Sequence, residues 1–164
     1  MTLCARLSEY ISACFTGLWV QSHEHDEALR EIAQLCREEH WNLAVWDIAQ
    51  GLQLPNAGTQ PADAGTDPLA AIRAINALAS ADSSALLLLV NFHRFLQSPE
   101  IVQALAQQII AGKQNRTFVV VLSPVISIPI ELEKLKLIWI MLPMVELDIQ
   151  SLPFLMVRYS NAFS

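Results

Sequence analysis

The sequence predicts an α/β fold, a three-layer αβα domain built on a five-stranded, mostly parallel sheet. Short runs such as Leu86–Asn91 (LLLLVN), Thr117–Leu122 (TFVVVL) and Leu137–Leu142 (LIWIML) are almost wholly apolar, as strands buried on both faces are. Helical periods alternate with these runs along the chain, the pattern of βαβ units. The composition points the same way. It is 53% hydrophobic and 16% charged, against a usual charged share of about 25%, and the mean hydropathy is +0.36. So greasy a chain has to cover its sheet on both faces or cover it with a partner.

The elements follow in order. In residues 3–15, Leu3, Leu7, Tyr10, Ile11 and Cys14 recur at three- and four-residue spacing, which predicts an amphipathic helix that ends at Gly17. Leu18–Gln21 (LWVQ) is the first strand. Ser22 is placed to cap the next helix, where Asp26, Glu27 and Glu31 favour the positive helix pole. That helix carries Leu29, Ile32, Ala33 and Cys36 on one face and stops near His40; Asn42–Asp47 (NLAVWD) is the second strand. Pro55–Pro68 (PNAGTQPADAGTDP) has no apolar period and reads as a loop. Asp67 as N-cap and Pro68 at the first helical position open a helix with a stripe of Leu69, Ile72, Ile75 and Ala79. After the third strand, Ser98-Pro99-Glu100 starts a helix with Ile101, Leu105 and Ile109 on its apolar face and Gly112 as its stop. The fourth strand follows at 117–122. Residues 131–135 give about one helical turn, and the fifth strand ends at Leu142.

At 164 residues the chain fits one domain, 1–143, followed by an apolar tail, 144–164. The net charge of −6, with no basic run, argues against a nucleic-acid partner. Three scattered cysteines, Cys4, Cys14 and Cys36, with no CxxC pair, predict free thiols on buried helical faces in a reducing compartment. No signal peptide is evident, and no apolar run approaches the roughly 20 residues a membrane span requires. A cytoplasmic protein is expected.

Six segments in this order, GLWVQSHEHDEAL, WNLAVWDIAQGL, DPLAAI, ALLLLVNFHRFL, SPEIVQALAQQI and NRTFVVVLSPVISIPIELEK, resemble the N-terminal region of the AAA-type ATPases of cyanobacteria and algal plastids. The resemblance covers about residues 3–143. It implies a degenerate P-loop domain with strand order 5-1-4-3-2, standing ahead of an AAA module that residues 144–164 do not begin. It also puts the ALLLLV strand in the place of the Walker B strand, with Asn91 where the magnesium-ordering aspartate belongs and Ser123 in the place of a polar sensor.

The chemistry of a P-loop is missing. No G-x-x-x-x-G-K-[ST] occurs; Gly112-Lys113 is followed by Gln114 at a helix end. In place of the glycine loop stand Ser22, His23, Glu24, His25, Asp26 and Glu27, whose carboxylates repel phosphate from the helix pole it would need. An amide such as that of Asn91 is a poor ligand for a hard cation. No catalytic residue and no cofactor are therefore expected. Asn91, Arg94 and Ser123 remain as strand-end candidates for binding a nucleotide without hydrolysis. The alternative is a metal-dependent hydrolase or sensor that draws His23, His25 and His93 together from the ends of the first and third strands, since imidazoles suit zinc. Asp47 and Asp67 read as loop acids. The favoured expectation is an interaction domain, contacting a second copy in a homodimer or an AAA ATPase partner. The apolar run from Leu137 to Phe154 either packs on its own domain or serves as the contact.

Overall fold

A computed structural model describes residues 2–56 and 65–142, and the backbone of 145–148. Helix α1 (Leu3–Ser12) opens the chain, capped by Thr2, whose Oγ1 accepts from the Ala5 amide at 3.2 Å. Strand β1 (Gly17–Gln21) leads into α2 (His25–Glu39), then β2 (Asn42–Asp47) and β3 (Gly51–Gln53). Helix α3 (Pro68–Leu78) precedes β4 (Ala85–Val90); a 3₁₀ turn (Phe92–Phe95) and α4 (Pro99–Asn115) lead to β5 (Thr117–Ser123). Helix α5 (Ile130–Glu133), β6 (Ile138–Met141) and β7 (Val145–Asp148) complete the order.

The sheet has seven strands in the order β3-β2-β4-β5-β1-β6-β7. The expected five strands, β2, β4, β5, β1 and β6, are parallel and lie in the expected order. The count of five is corrected, because β3 and β7 add an antiparallel strand at each edge. β3 follows from a tight turn in which Asp47 Oδ1 accepts from the amides of Ala49 (2.8 Å) and Gln50 (2.7 Å). Gly51 then takes φ +71° and lies so close to the Gly65 carbonyl that any side chain would collide with it, a place only glycine fills. β7 pairs with β6 from Met141↔Val145 to Ile138↔Asp148, so the sheet continues past residue 143. Residues 144 and 149–164, the rest of the expected tail, lie outside the described residues, as does most of the expected 55–68 loop.

Alternation along each strand sorts the core into two layers. Leu18, Val20, Leu86, Leu88, Val120, Leu122, Ile138 and Ile140 meet α1 and α2 on one face. Trp19, Trp46, Leu87, Leu89, Val121 and Trp139 meet α3, α4 and α5 on the other. The three-layer arrangement follows, with every strand of the parallel set buried on both sides. One register row, Trp46–Leu89–Val121–Trp19–Trp139, puts three tryptophans on the α3–α4–α5 face. Trp46 also packs edge-on against Phe92 and Phe95, with ring centroids 5.5 and 5.3 Å apart.

Four local expectations change. Ser22 is not the N-cap of α2; Glu24 holds that position, and Ser22 Oγ instead accepts from the Glu24 amide at 3.0 Å. Gly112 does not stop α4, which runs to Asn115 and ends on Arg116 in a left-handed conformation. Its lack of a side chain serves close packing, since a Cβ there would strike the Thr117 carbonyl and the Thr16 side chain. The α1 helix stops at Ser12, before Gly17, which begins β1. Cys14 is exposed at φ +63° rather than buried on a helical face; Cys36 is buried and Cys4 half-buried. Among the described residues no helix is long and apolar enough to cross a membrane.

Candidate functional site

In an open parallel sheet, ligands gather beyond the carboxyl ends of the strands where successive connections diverge to opposite faces. Here that point lies between β1 and β5. β1 connects through α2 on one face, and β5 connects through α5 on the other. The residues at this end are Gln21, Ser22, Asn91, Ser123 and the turns that follow them.

Ser123, the candidate sensor, is fully buried and its hydroxyl is committed. Its Oγ accepts from Trp19 Nε1 at 2.8 Å and donates to the Val125 carbonyl at 2.6 Å. Gln21 lies opposite Ser123 in register and donates its Nε2 to the Pro124 carbonyl at 3.2 Å. The Ser22 amide donates to the Ser123 carbonyl at 3.0 Å, carrying the ladder one residue beyond the strands. These bonds fasten the β1 and β5 ends to one another.

Asn91 sits at φ 57°, ψ 30°, half-buried, and its amide donates to the Leu122 carbonyl at 2.8 Å. Asparagine is among the few side chains that tolerate this left-handed conformation, which turns the chain from β4 into the 3₁₀ segment. Arg94 is exposed, and its amide donates to the Asn91 carbonyl at 3.4 Å. Asn91 and Arg94 thus follow β4 and Ser123 ends the neighbouring β5, all at one end of the sheet, but the Ser123 hydroxyl is already engaged.

The turn between β1 and α2 is three residues long, Ser22–Glu24, between Gln21 and His25. Glu24, Asp26 and Glu27 are exposed around it. Beside it a cavity of about 470 Å³ is lined by Leu3, Ser22, His23, Glu24, Glu27 and Glu31, among others. A helix start that presents glutamates and no glycine or lysine favours cations over phosphate.

The three-histidine alternative does not assemble. Among the described residues, no three His, Cys, Asp or Glu side chains gather as a metal-ligand set. His23 is exposed and lines the glutamate cavity. His25, the first residue of α2, and His93, in the 3₁₀ turn, are half-buried. Burial first, then Arg94 and His25, hold the His93 pKa below its ordinary value. Asp47 and Asp67 also resolve into structural roles: Asp47 closes the β2–β3 turn, and Asp67 Oδ1 caps α3 by accepting from the Leu69 amide at 3.1 Å. The thiol of Cys36 is pushed up to about 12, chiefly by burial, and that of Cys4 is raised by burial and by Glu31 and Glu38, so neither is an activated nucleophile.

Sequence reasoning missed an apolar feature of the same end. Val125, in the β5–α5 connection, and Ile130, the first residue of α5, are 47% and 71% exposed, and Ile48, just past β2, is 56% exposed. Their neighbours Ile126 and Ile128 are half-buried and pack against the core. The VISIPI stretch alternates apolar and polar or turn-forming residues, and nothing in it distinguishes the members that face solvent from those that do not.

A family model described as the N-terminal domain of SpoVK-like AAA ATPases matches residues 3–139. That span is most of the chain, and the chain belongs to this family. The AAA module itself is not within the 164 residues. Comparisons with curated proteins and with solved structures find no match.

Proposed function

We propose that this chain, as a SpoVK-like AAA ATPase N-terminal domain, is a degenerate P-loop-type domain of the cytoplasm that works through protein contact rather than catalysis, with an AAA ATPase assembly as its partner. The observation that carries the reading is the chemistry at the end of β1. A three-residue, glutamate-bearing turn stands where a phosphate cradle would need glycine amides and a lysine. The acid of a Walker B strand is replaced by Asn91, whose left-handed backbone gives it a turn-forming role. With the cradle and the metal acid both lacking, hydrolysis has no means of charge stabilisation.

The exposed Ile48, Val125 and Ile130 at the strand-end rim support an outward-facing role, since large apolar side chains in solvent favour a covering surface. The test pairs a thermal shift with a binding assay. Magnesium-ATP at millimolar concentration is expected to leave the unfolding midpoint unchanged, and an immobilised AAA ATPase of the same family is expected to retain the chain. Stabilisation by ATP would overturn the non-catalytic reading in favour of nucleotide binding at Asn91 and Arg94. Light scattering separates the partner from a second copy: a stable dimer with no affinity for the ATPase would assign the contact to self-association.

A further inference from the structure

The sheet has an uncovered stretch of edge at the start of β2, at the opposite end from Asn91 and Ser123. β3 pairs with β2 only from Asp47↔Gly51 to Val45↔Gln53, so Asn42–Ala44 run on without it. The Asn42 amide donates to the Ser84 carbonyl at 2.9 Å, on the β4 side. Successive backbone groups of a strand point to opposite edges, so the Leu43 amide and carbonyl point away from β4. Among the described residues no backbone partner meets them there. The residue types account for the gap. Continuing the β2–β3 register would set Pro55 against Leu43, and proline has no N–H to donate. A cavity of about 400 Å³ lies at this gap. Of its walls, Cys36, Trp41 and Leu43 belong to the α1–α2 side of the sheet, and Leu54 and Leu78 to the α3–α4–α5 side. It therefore opens across the sheet edge, between the two helical layers, where a further strand would lie. The walls are pinned: Asn42 Nδ2 donates to the Leu78 carbonyl at 3.0 Å, Asn56 Nδ2 to the Ala33 carbonyl at 3.3 Å, and Arg37 Nη1 to Asn56 Oδ1 at 3.1 Å.

We propose that this notch takes an extended segment of a partner protein, paired with β2 at Leu43 and carrying a large apolar residue beside an acidic one. Backbone groups demand partners, and an uncovered edge obtains them from an added strand. The apolar side chain of the segment fills the space against Trp41, Leu54 and Leu78. Its carboxylate meets Arg37, which is exposed and lines the cavity with His40, while no carboxylate does so among the described residues. The present partners of the Arg37 guanidinium, Asn56 Oδ1 and Gln34 Oε1, are neutral amide oxygens that leave its charge unbalanced. The C-terminus of α2 brings its negative pole to the same rim. Main-chain bonds and apolar burial therefore drive the contact, and Arg37 selects among segments. The inference rests on the protein-contact reading only for the source of the segment.

The test is an NMR titration of the full chain with the capped pentapeptide Thr-Glu-Leu-Thr-Val, read at the Leu43 amide. A saturable shift of that resonance and slower hydrogen exchange there are expected at millimolar peptide. The same peptide N-methylated at its three central residues, which cannot donate to an edge, should do neither. Arg37→Glu, at an exposed position, should weaken binding by about tenfold, the worth of one charge-assisted hydrogen bond, and the peptide with Lys for Glu should recover it. Circular dichroism establishes that the variant is folded. No response at Leu43 would overturn the proposal, as would equal binding of the N-methylated peptide. A Leu43 amide already protected in the free chain would overturn it too, because the edge would then be filled. A Leu43 shift that follows the concentration of the chain alone would give the edge to a second copy and refute the partner segment. A chain retained by the AAA ATPase but silent to the peptide would sink this inference and leave the protein-contact reading standing. Peptide binding without retention would do the reverse.

Discussion

Ser123→Ala separates a structural hydroxyl from a ligand-sensing one. The wild-type hydroxyl accepts from the Trp19 indole at 2.8 Å and donates to the Val125 carbonyl at 2.6 Å. Trp19 is 1% exposed, so alanine leaves its N–H buried with no acceptor, a loss of about 1–3 kcal/mol. Val125 is 47% exposed, and water can replace the hydroxyl at its carbonyl at small cost. The whole loss is therefore about 1–3 kcal/mol, which lowers the unfolding midpoint by about 2–12 °C for a chain of this size. Urea unfolding followed by far-UV circular dichroism measures it, with an unchanged slope expected because the exposed surface is the same. A double-mutant cycle with Trp19→Phe isolates the pair, and a coupling of at least about 0.5 kcal/mol is expected for two groups in direct contact. A Ser123→Ala protein within about 0.5 kcal/mol of wild type, the range of an ordinary surface change, would refute the structural assignment. So would additivity of the two substitutions.

Gly112→Ala is expected to destabilise by about 1–3 kcal/mol, the usual cost of overpacking, because the new methyl meets the Thr117 backbone as well as Thr16. Chemical denaturation measures this, and a gain in stability from improved helix propensity would show that α4 shifts freely against β5. Cys36 makes a pH prediction. Its folded pKa of about 12 exceeds its ordinary 9.0, so between those values the unfolded chain releases a proton that the folded chain keeps. The contribution is complete below pH 9.0 and is lost as pH rises toward about 12. Stability should therefore fall less steeply with pH in Cys36→Val than in wild type over that window, and identical slopes would contradict burial as the cause.

The parallel strands were legible because each is a run of apolar residues long enough to stand out, and their helices carry clear caps, as at Asp67-Pro68. The edge strands were not. β3 is only Gly51–Gln53, too short for any period to register, and its pairing depends on the Asp47 turn and on the Gly65 carbonyl. β7 (Val145–Asp148) alternates apolar and acidic residues, but it lies within a greasy run that hides the alternation. Gly112 illustrates a different limit: a glycine near a helix end reads as a stop, whereas its use here is set by Thr16 and Thr117, which no local window includes. Of the candidate site residues, only their place in the fold was legible. Asn91, Arg94 and Ser123 do lie at one end of the sheet, past two neighbouring strands, yet the fate of the Ser123 hydroxyl depends on a tryptophan 104 residues away.

That tryptophan alters what the strand end can do. A parallel sheet ends in amides and carbonyls that need partners, and a nucleotide-binding relative of the fold would leave some of them to phosphate. At β1 and β5 the chain supplies the partners itself: Ser22 bonds to Ser123, Gln21 to Pro124, and Trp19 to the Ser123 hydroxyl. Opening this end to a phosphate would mean giving up these bonds and bringing an anion to a helix start rich in glutamate. Both costs oppose nucleotide binding on the β1–β5 side. A sheet end that supplies its own partners at β1 and β5 therefore resists an anion there twice over, by bonds already made and by the charge of the helix start.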